Sequence, residues 1–228
     1  KRVCFDLPEN AKKAVPQFNS LNQEIVEEFR KKSLIPGKTV ILSPYSTCIK
    51  PLPDWFWEDI ANQLKQCGYT VCTNSAGQQE PVIKGTVPIF FTYSNAASVL
   101  EYAGYFIAIR SGLCDIVSSA KCKKIVLYPR NVFFCPPDRT IGYVGLKNMG
   151  LCEDYEIVFD NNYPCLELQL LKAMEEEGMD ILYSEKTDKA AVTVIISAYN
   201  SEKTLRRTLD SATRQGLDEN ELEILVID

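Results

Sequence analysis

Histidine is absent from the 228 residues. That removes Ser-His-Asp and Cys-His catalysis, and the commonest zinc sites, from consideration. No Cys-x-x-Cys pair occurs either. The nine cysteines are an odd number, and most stand inside apolar segments, as Cys4, Cys72, Cys114 and Cys135 do. Reduced, buried thiols in a cytoplasmic protein are expected, not a disulfide framework. No apolar run approaches the roughly 20 residues that span a bilayer, and no signal peptide opens the chain. Basic residues are not in excess: 25 Lys and Arg face 30 Asp and Glu, a net charge of −5, and no basic stripe invites nucleic acid. The first residue is not Met, so the sequence reads as a piece of a longer protein.

What is present is ordinary for a soluble chain: 46% apolar and 24% charged residues, enough for a real core in one large domain or one domain with an appendage. The organising stretch runs from Tyr102 to Pro129. Residues 105–109 form an apolar run too short for a helix and rich in strand formers, so it predicts a buried strand. Arg110, Ser111 and Gly112 break it. Ser111 suits an N-cap, and Ile116, Val117 and Ala120 follow at helical spacing. Residues 125–128 predict a second buried strand, ended by Pro129. In an open parallel sheet, a helix that starts just past a strand's C-terminal end is where phosphate-bearing ligands bind. Arg110 at that turn adds a fork of donors suited to phosphate, although an ordinary surface charge on a βα turn reads the same.

The rest of the chain alternates in the same way. Residues 19–32 predict a helix with Leu21, Ile25, Val26 and Phe29 on one face. Pro36-Gly37 closes it, and Lys38 to Leu42 is a buried strand running into Ser43-Pro44-Tyr45-Ser46-Thr47. This loop is a second candidate for the ligand-facing edge, or a plain turn. Asp54 is expected to cap a helix that turns Trp55, Trp57, Ile60 and Leu64 inward and stops at Gly68. Tyr69 to Thr73 is a strand, a loop follows through Lys84, and Val87 to Phe91 is an apolar run. Ser94 is expected to cap a helix carrying Ala97, Leu100 and Tyr102. Glu101 lies in its last turn, where the helix dipole disfavours an acid, so the residue is a candidate for a role. After an irregular stretch come a short strand at residues 156–159 and an amphipathic helix at 165–177. Residues 181–190 read as a linker. The expectation is a doubly wound, mostly parallel, Rossmann-like α/β domain over residues 1–180, in which 1–35 are a lead-in and a helix.

The order of a strand ending in Ser-Pro-Tyr-Ser, a helix, a strand, then Ser-Asn-Ala-Ala-Ser-Val-Leu-Glu-Tyr-Ala-Gly, a strand, Arg-Ser-Gly-Leu-Cys-Asp-Ile and Ile-Val-Leu-Tyr-Pro resembles the C-terminal, donor-binding half of a GT-B glycosyltransferase. The likeness covers about residues 36–180 and is strongest to bacterial enzymes of surface-polysaccharide assembly, including the heptosyltransferase-like group. It implies that Ser111, Gly112 and Leu113 present backbone N–H groups to the donor's diphosphate, with Arg110 as counter-charge. It also implies that Glu101 holds the ribose, and that no metal or other cofactor is needed in this domain. Arg110 stands where that group has an acid, and Asp115 where it has histidine.

A second resemblance covers residues 191–228. Val-Thr-Val-Ile-Ile-Ser-Ala-Tyr-Asn-Ser-Glu-Lys, with Leu-Glu-Ile-Leu-Val-Ile-Asp after it, is similar to the opening strand–helix–strand of a family 2, GT-A glycosyltransferase. It implies that Ala198, Tyr199, Asn200, Glu202 and Asp228 line a nucleotide. A divalent metal, Mg or Mn, would be needed only by a complete domain of that kind. Together the two imply a glycosyltransferase fragment that binds a nucleotide-diphosphate sugar for transfer to a glycan acceptor held by another domain. The setting implied is the cytoplasm or the inner face of the membrane, and the cut-short tail invites homo-oligomers. A non-catalytic nucleotide- or sugar-binding module and a nucleotide-sugar epimerase-like domain stay open, the missing histidine weighing against the epimerase.

Overall fold

The computed structural model describes residues 18–21, 23–47, 49–76, 80–130, 145–152, 154–159, 163–181, 192–197, 202–214 and 222–227. The chain divides into two compact units, Lys1–Ile181 and Leu182–Asp228.

In the first unit, helix α1 (Gln23–Lys31) precedes strand β1 (Thr39–Ser43), helix α2 (Asp54–Gln66), β2 (Thr70–Asn74), β3 (Val87–Ile89), α3 (Ala96–Ala103), β4 (Gly104–Ile109), α4 (Gly112–Ile116), β5 (Lys123–Pro129), β6 (Tyr155–Phe159) and α5 (Tyr163–Glu176). The six strands form one sheet in the order β3-β2-β1-β4-β5-β6, every pair parallel. This is the Rossmann-like α/β architecture the sequence predicts. The chain leaves β1 towards β3 on one side and returns through β4 towards β6 on the other, so the order reverses between β1 and β4.

Alternation along the strands separates two cores. Val40, Leu42, Ile107, Ile109, Ile125 and Leu127 meet Phe56, Trp57, Ile60 and Leu64 of α2 and Leu166, Leu170 and Met174 of α5. The intervening residues Ile41, Phe106, Ala108, Val126 and Tyr128 meet Phe29 of α1, Val99 and Leu100 of α3, and Cys114 of α4. Each large side chain so buried contributes about 1.5–3 kcal/mol. At the start of the sheet, Gly104 adopts φ +99° and presses its backbone against Gly37. Thr39 and Gly104 are thereby the first register partners of β1 and β4.

Several local expectations change. Trp55 is 48% exposed while Trp57 is buried. Pro53, not Asp54, occupies the cap position of α2. A short 3-10 turn, Tyr93–Asn95, precedes α3, and Ser94 Oγ pairs with Thr92 Oγ1 at 2.8 Å instead of capping the helix. The helix after Ser111 is a single turn continued by a 3-10 turn, Val117–Ser119.

The second unit contains β7 (Val192–Ser197), α6 (Glu202–Thr213) and β8 (Leu222–Ile227), with β7 and β8 paired in parallel from Val192↔Leu222 to Ser197↔Ile227. Several of its apolar strand residues stand exposed, Ile195 at 64% and Ile227 at 58%.

Candidate functional site

All parallel strands of the first unit end at one edge of the sheet, and there the ends of β1 to β5 and the loops after them line a cavity of about 800 Å³. It lies over the point where the strand order reverses, with Ser43 of β1 and Arg110 after β4 both in its wall. Open α/β sheets bind ligands at this place because neighbouring loops diverge there and leave a crevice.

Three walls can be distinguished. The first follows β1: Ser43 is buried and accepts from Asn74 Nδ2 at 3.4 Å, while Tyr45 Oη donates to the Pro81 carbonyl at 2.6 Å. Partial burial, then Asp54 and Glu80, push the Tyr45 phenol above its ordinary range, so it remains a neutral donor. Ser46 and Thr47 continue this wall.

The second wall is aromatic. Strand β3 is only three residues long, and the run emerges from the sheet as Phe90, Phe91, Thr92 and Tyr93, all lining the cavity. Phe90 and Tyr93 are each 67% exposed, a large apolar area held towards water, of the kind that marks a binding surface. Glu80 stands beside it, its Oε2 accepting the Ala76 N–H at 2.9 Å.

The third wall is the turn after β4. Ser111, Gly112 and Leu113 line the cavity, and the Cys114 N–H donates to the Ser111 carbonyl at 3.1 Å. Ser111 occupies the cap position of α4, but its hydroxyl makes no capping bond to the helix. The Arg110 guanidinium is nearly buried and grips Asp115 with two bonds, 2.9 and 2.7 Å. Burial would lower its pKa, but Asp115 outweighs this and raises it. The counter-charge expected for a ligand is therefore already engaged by a residue of the same turn. Burial also pushes the Cys114 thiol up, which removes it as a nucleophile.

The structure thus gathers Ser43, Tyr45, Ser46, Arg110, Ser111, Gly112 and Leu113 around one space. Glu101 stands apart. It stands in the last turn of α3, the helix that leads into the start of β4, and so lies at the opposite edge of the sheet, where its Oε1 accepts the Lys121 N–H at 2.8 Å. Ala198, Tyr199, Asn200 and Asp228 lie outside the described residues, and Glu202 is described only as the first residue of α6. Sequence reasoning missed Phe90, Tyr93 and Glu80. The signal was the pair of aromatics at the end of an apolar run that contains Pro88, a residue that shortens a strand. Among the described residues no group of three or more His, Cys, Asp or Glu could hold a metal ion.

Residues 193–228 match the family model for glycosyl transferase family 2. Among solved structures, the chain is similar to a glycosyl transferase family 9 protein from Veillonella parvula, at 14% identity and TM-score 0.52, covering 73% of this chain and 54% of that one. A second similar structure is the E. coli heptosyltransferase WaaC with ADP, at 16% identity and TM-score 0.45, covering 71% of this chain and 51% of that one. The chain therefore spans about half the length of the solved structures it matches. No curated protein matches it. The first unit is glycosyltransferase-like in fold, and the segment from residue 193 carries a glycosyltransferase family match of its own.

Proposed function

We propose that the first unit is the donor-binding half of a GT-B-type glycosyltransferase and that its cavity holds a nucleotide-diphosphate sugar. The observation that carries this reading is the cavity's position over the reversal between β1 and β4, with rings on one wall and a Ser-Gly turn on the other. Phe90 and Tyr93 offer faces for a nucleobase. The hydroxyls of Ser43, Ser46 and Ser111 and the backbone of the Ser111–Leu113 turn suit a diphosphate and its sugar. Fixed donors of this kind stabilise charge as it develops on a leaving diphosphate, without reorganisation. The glycan acceptor is assigned to a separate half, and the segment 191–228 to the opening of a family 2, GT-A domain. Surface-polysaccharide synthesis in the cytoplasm, or at the inner face of a membrane, is the setting that fits this reading.

The test uses Gly112. A Cβ built there meets nothing within 4 Å, and the residue lines the cavity, so a larger side chain would enter the ligand's space without disturbing the core. Calorimetric titration with a panel of nucleoside diphosphates and nucleotide sugars should find a ligand for the parent protein. Gly112→Leu should lose about tenfold or more of that affinity while its melting temperature is kept. Undiminished binding by the variant would place the ligand elsewhere, and a parent that binds no member of the panel would overturn the reading.

A further inference from the structure

Arg110 is the only cation among the described residues that line the cavity, and its bonds are unusually complete. Nη1 donates to Asp115 Oδ2 at 2.9 Å and to the Ser111 carbonyl, while Nη2 donates to Asp115 Oδ1 at 2.7 Å and to Met149 Sδ at 3.9 Å. The four terminal N–H bonds of the guanidinium are thus all engaged. No anion entering the cavity can take a two-pronged grip on Arg110 unless one of these partners leaves.

The partners differ in how readily they can go. The Ser111 carbonyl is fixed by the turn, and its oxygen also receives the Cys114 N–H. Asp115 sits on a one-turn helix, and its side chain is 38% exposed against 10% for Arg110. A buried guanidinium left without a counter-charge is costly, so Arg110 must keep an anionic partner. A side chain already more than a third exposed needs little rearrangement to swing its carboxylate into water, where it is hydrated, so releasing it costs little. The fork that fits a carboxylate fits two phosphate oxygens equally well.

We propose that Asp115 is a displaceable competitor: it and the ligand's diphosphate are alternative partners of Arg110, and each binding event exchanges one for the other. This rests on the reading of the cavity as a nucleotide-sugar site. The exchange makes Asp115 a specificity-determining residue. A singly charged anion replaces one carboxylate with its equal and gains little, whereas a diphosphate brings a larger charge to the same fork. Uncharged nucleosides leave the pair undisturbed.

The experiment titrates UDP, ADP, GDP, CDP, inorganic pyrophosphate and the matching nucleosides into the parent protein and into Asp115→Asn, which keeps the side chain's shape and removes its charge. The expected result is diphosphate binding about tenfold tighter in the variant, with nucleoside binding unchanged. Equal or weaker diphosphate binding at an unchanged melting temperature would overturn the proposal. The unaltered protein gives a second readout that no folding defect can spoil: the carboxyl carbon resonance of Asp115 should move towards its solvent-exposed value on saturation with the diphosphate. A bound diphosphate that leaves this resonance in place would also overturn it. If diphosphates bind parent and variant alike, only the competitor falls. If they bind neither, the donor-site reading falls and takes the competitor with it.

Discussion

Replacing glycine by alanine at positions 104 and 112 should move stability in opposite directions, although the chemical change is the same. At Gly104 the backbone has φ +99°, and an added Cβ would stand 2.9 Å from the Gly37 Cα and 3.1 Å from its carbonyl carbon and oxygen. A conformation of this kind costs an L-residue about 1–3 kcal/mol. The clash adds about 1–3 kcal/mol more, since it falls on backbone and not on a side chain that can turn away. Gly104→Ala should therefore cost about 2–6 kcal/mol. Gly112 has an ordinary φ and open space around its Cβ, so alanine there restricts only the unfolded chain and should gain about 0.4–1 kcal/mol. At about 2–4 °C per kcal/mol for a domain of this size, the Gly104 variant should melt several degrees or more below the parent and the Gly112 variant slightly above it. Scanning calorimetry on the two variants and the parent decides the matter. A Gly104→Ala protein that melts with the parent would refute the reasoning, because it would show that the Gly37 contact gives way at no cost.

Further outcomes can be checked alongside. Diphosphate binding to the cavity should persist within error in excess chelator; a tenfold loss would reveal a metal held by carboxylates that the cavity geometry does not suggest. Burial pushes the Cys72 thiol up to about 12 from 9.0, so mapping of alkylation at pH 8 by mass spectrometry should find exposed Cys165 labelled well before Cys72. Because the folded state holds the Cys72 proton more tightly than the unfolded state, its contribution to stability should decline as pH rises from about 9 towards 12. The uncovered strands of the second unit should seek a partner. Light scattering on the full chain and on one ending at Asp180 should differ in association state, and a monomer in both would count against this.

The path from strand to turn to helix at residues 104–116 was legible because an apolar run, a polar break and a small-residue turn each have a physical cause that acts locally. The inward face of α2 was legible only in part. Trp57, Ile60 and Leu64 are spaced three and four apart and share a face, whereas Trp55, two residues before Trp57, points the other way and into water. Glu101 was misplaced by neglect of direction. A helix that leads into a strand of a parallel sheet ends where that strand begins, so its last turn faces away from the ligand edge. The grip of Arg110 on Asp115 spans a corner between a strand and a helix, and no periodic pattern reports contacts across a corner. The aromatic wall was hidden because Val87 to Phe91 has the composition of one buried strand, while the sheet takes only Val87 to Ile89.

The contact between Gly37 and Gly104 also acts as the zero mark of a ruler. It sets Thr39 level with Gly104, and from there two adjacent strands count upward at about 3.3 Å per residue. Ser43 comes level with Ala108, and Arg110 follows two residues later with the parity that brings it to the same cavity. Shifting the mark by one residue would carry Arg110 to the other face of the sheet, because successive residues of a strand point in opposite directions. A length error at the closed end of the sheet would thus be read out as a wrong chemical group at the open end, some five strand residues away.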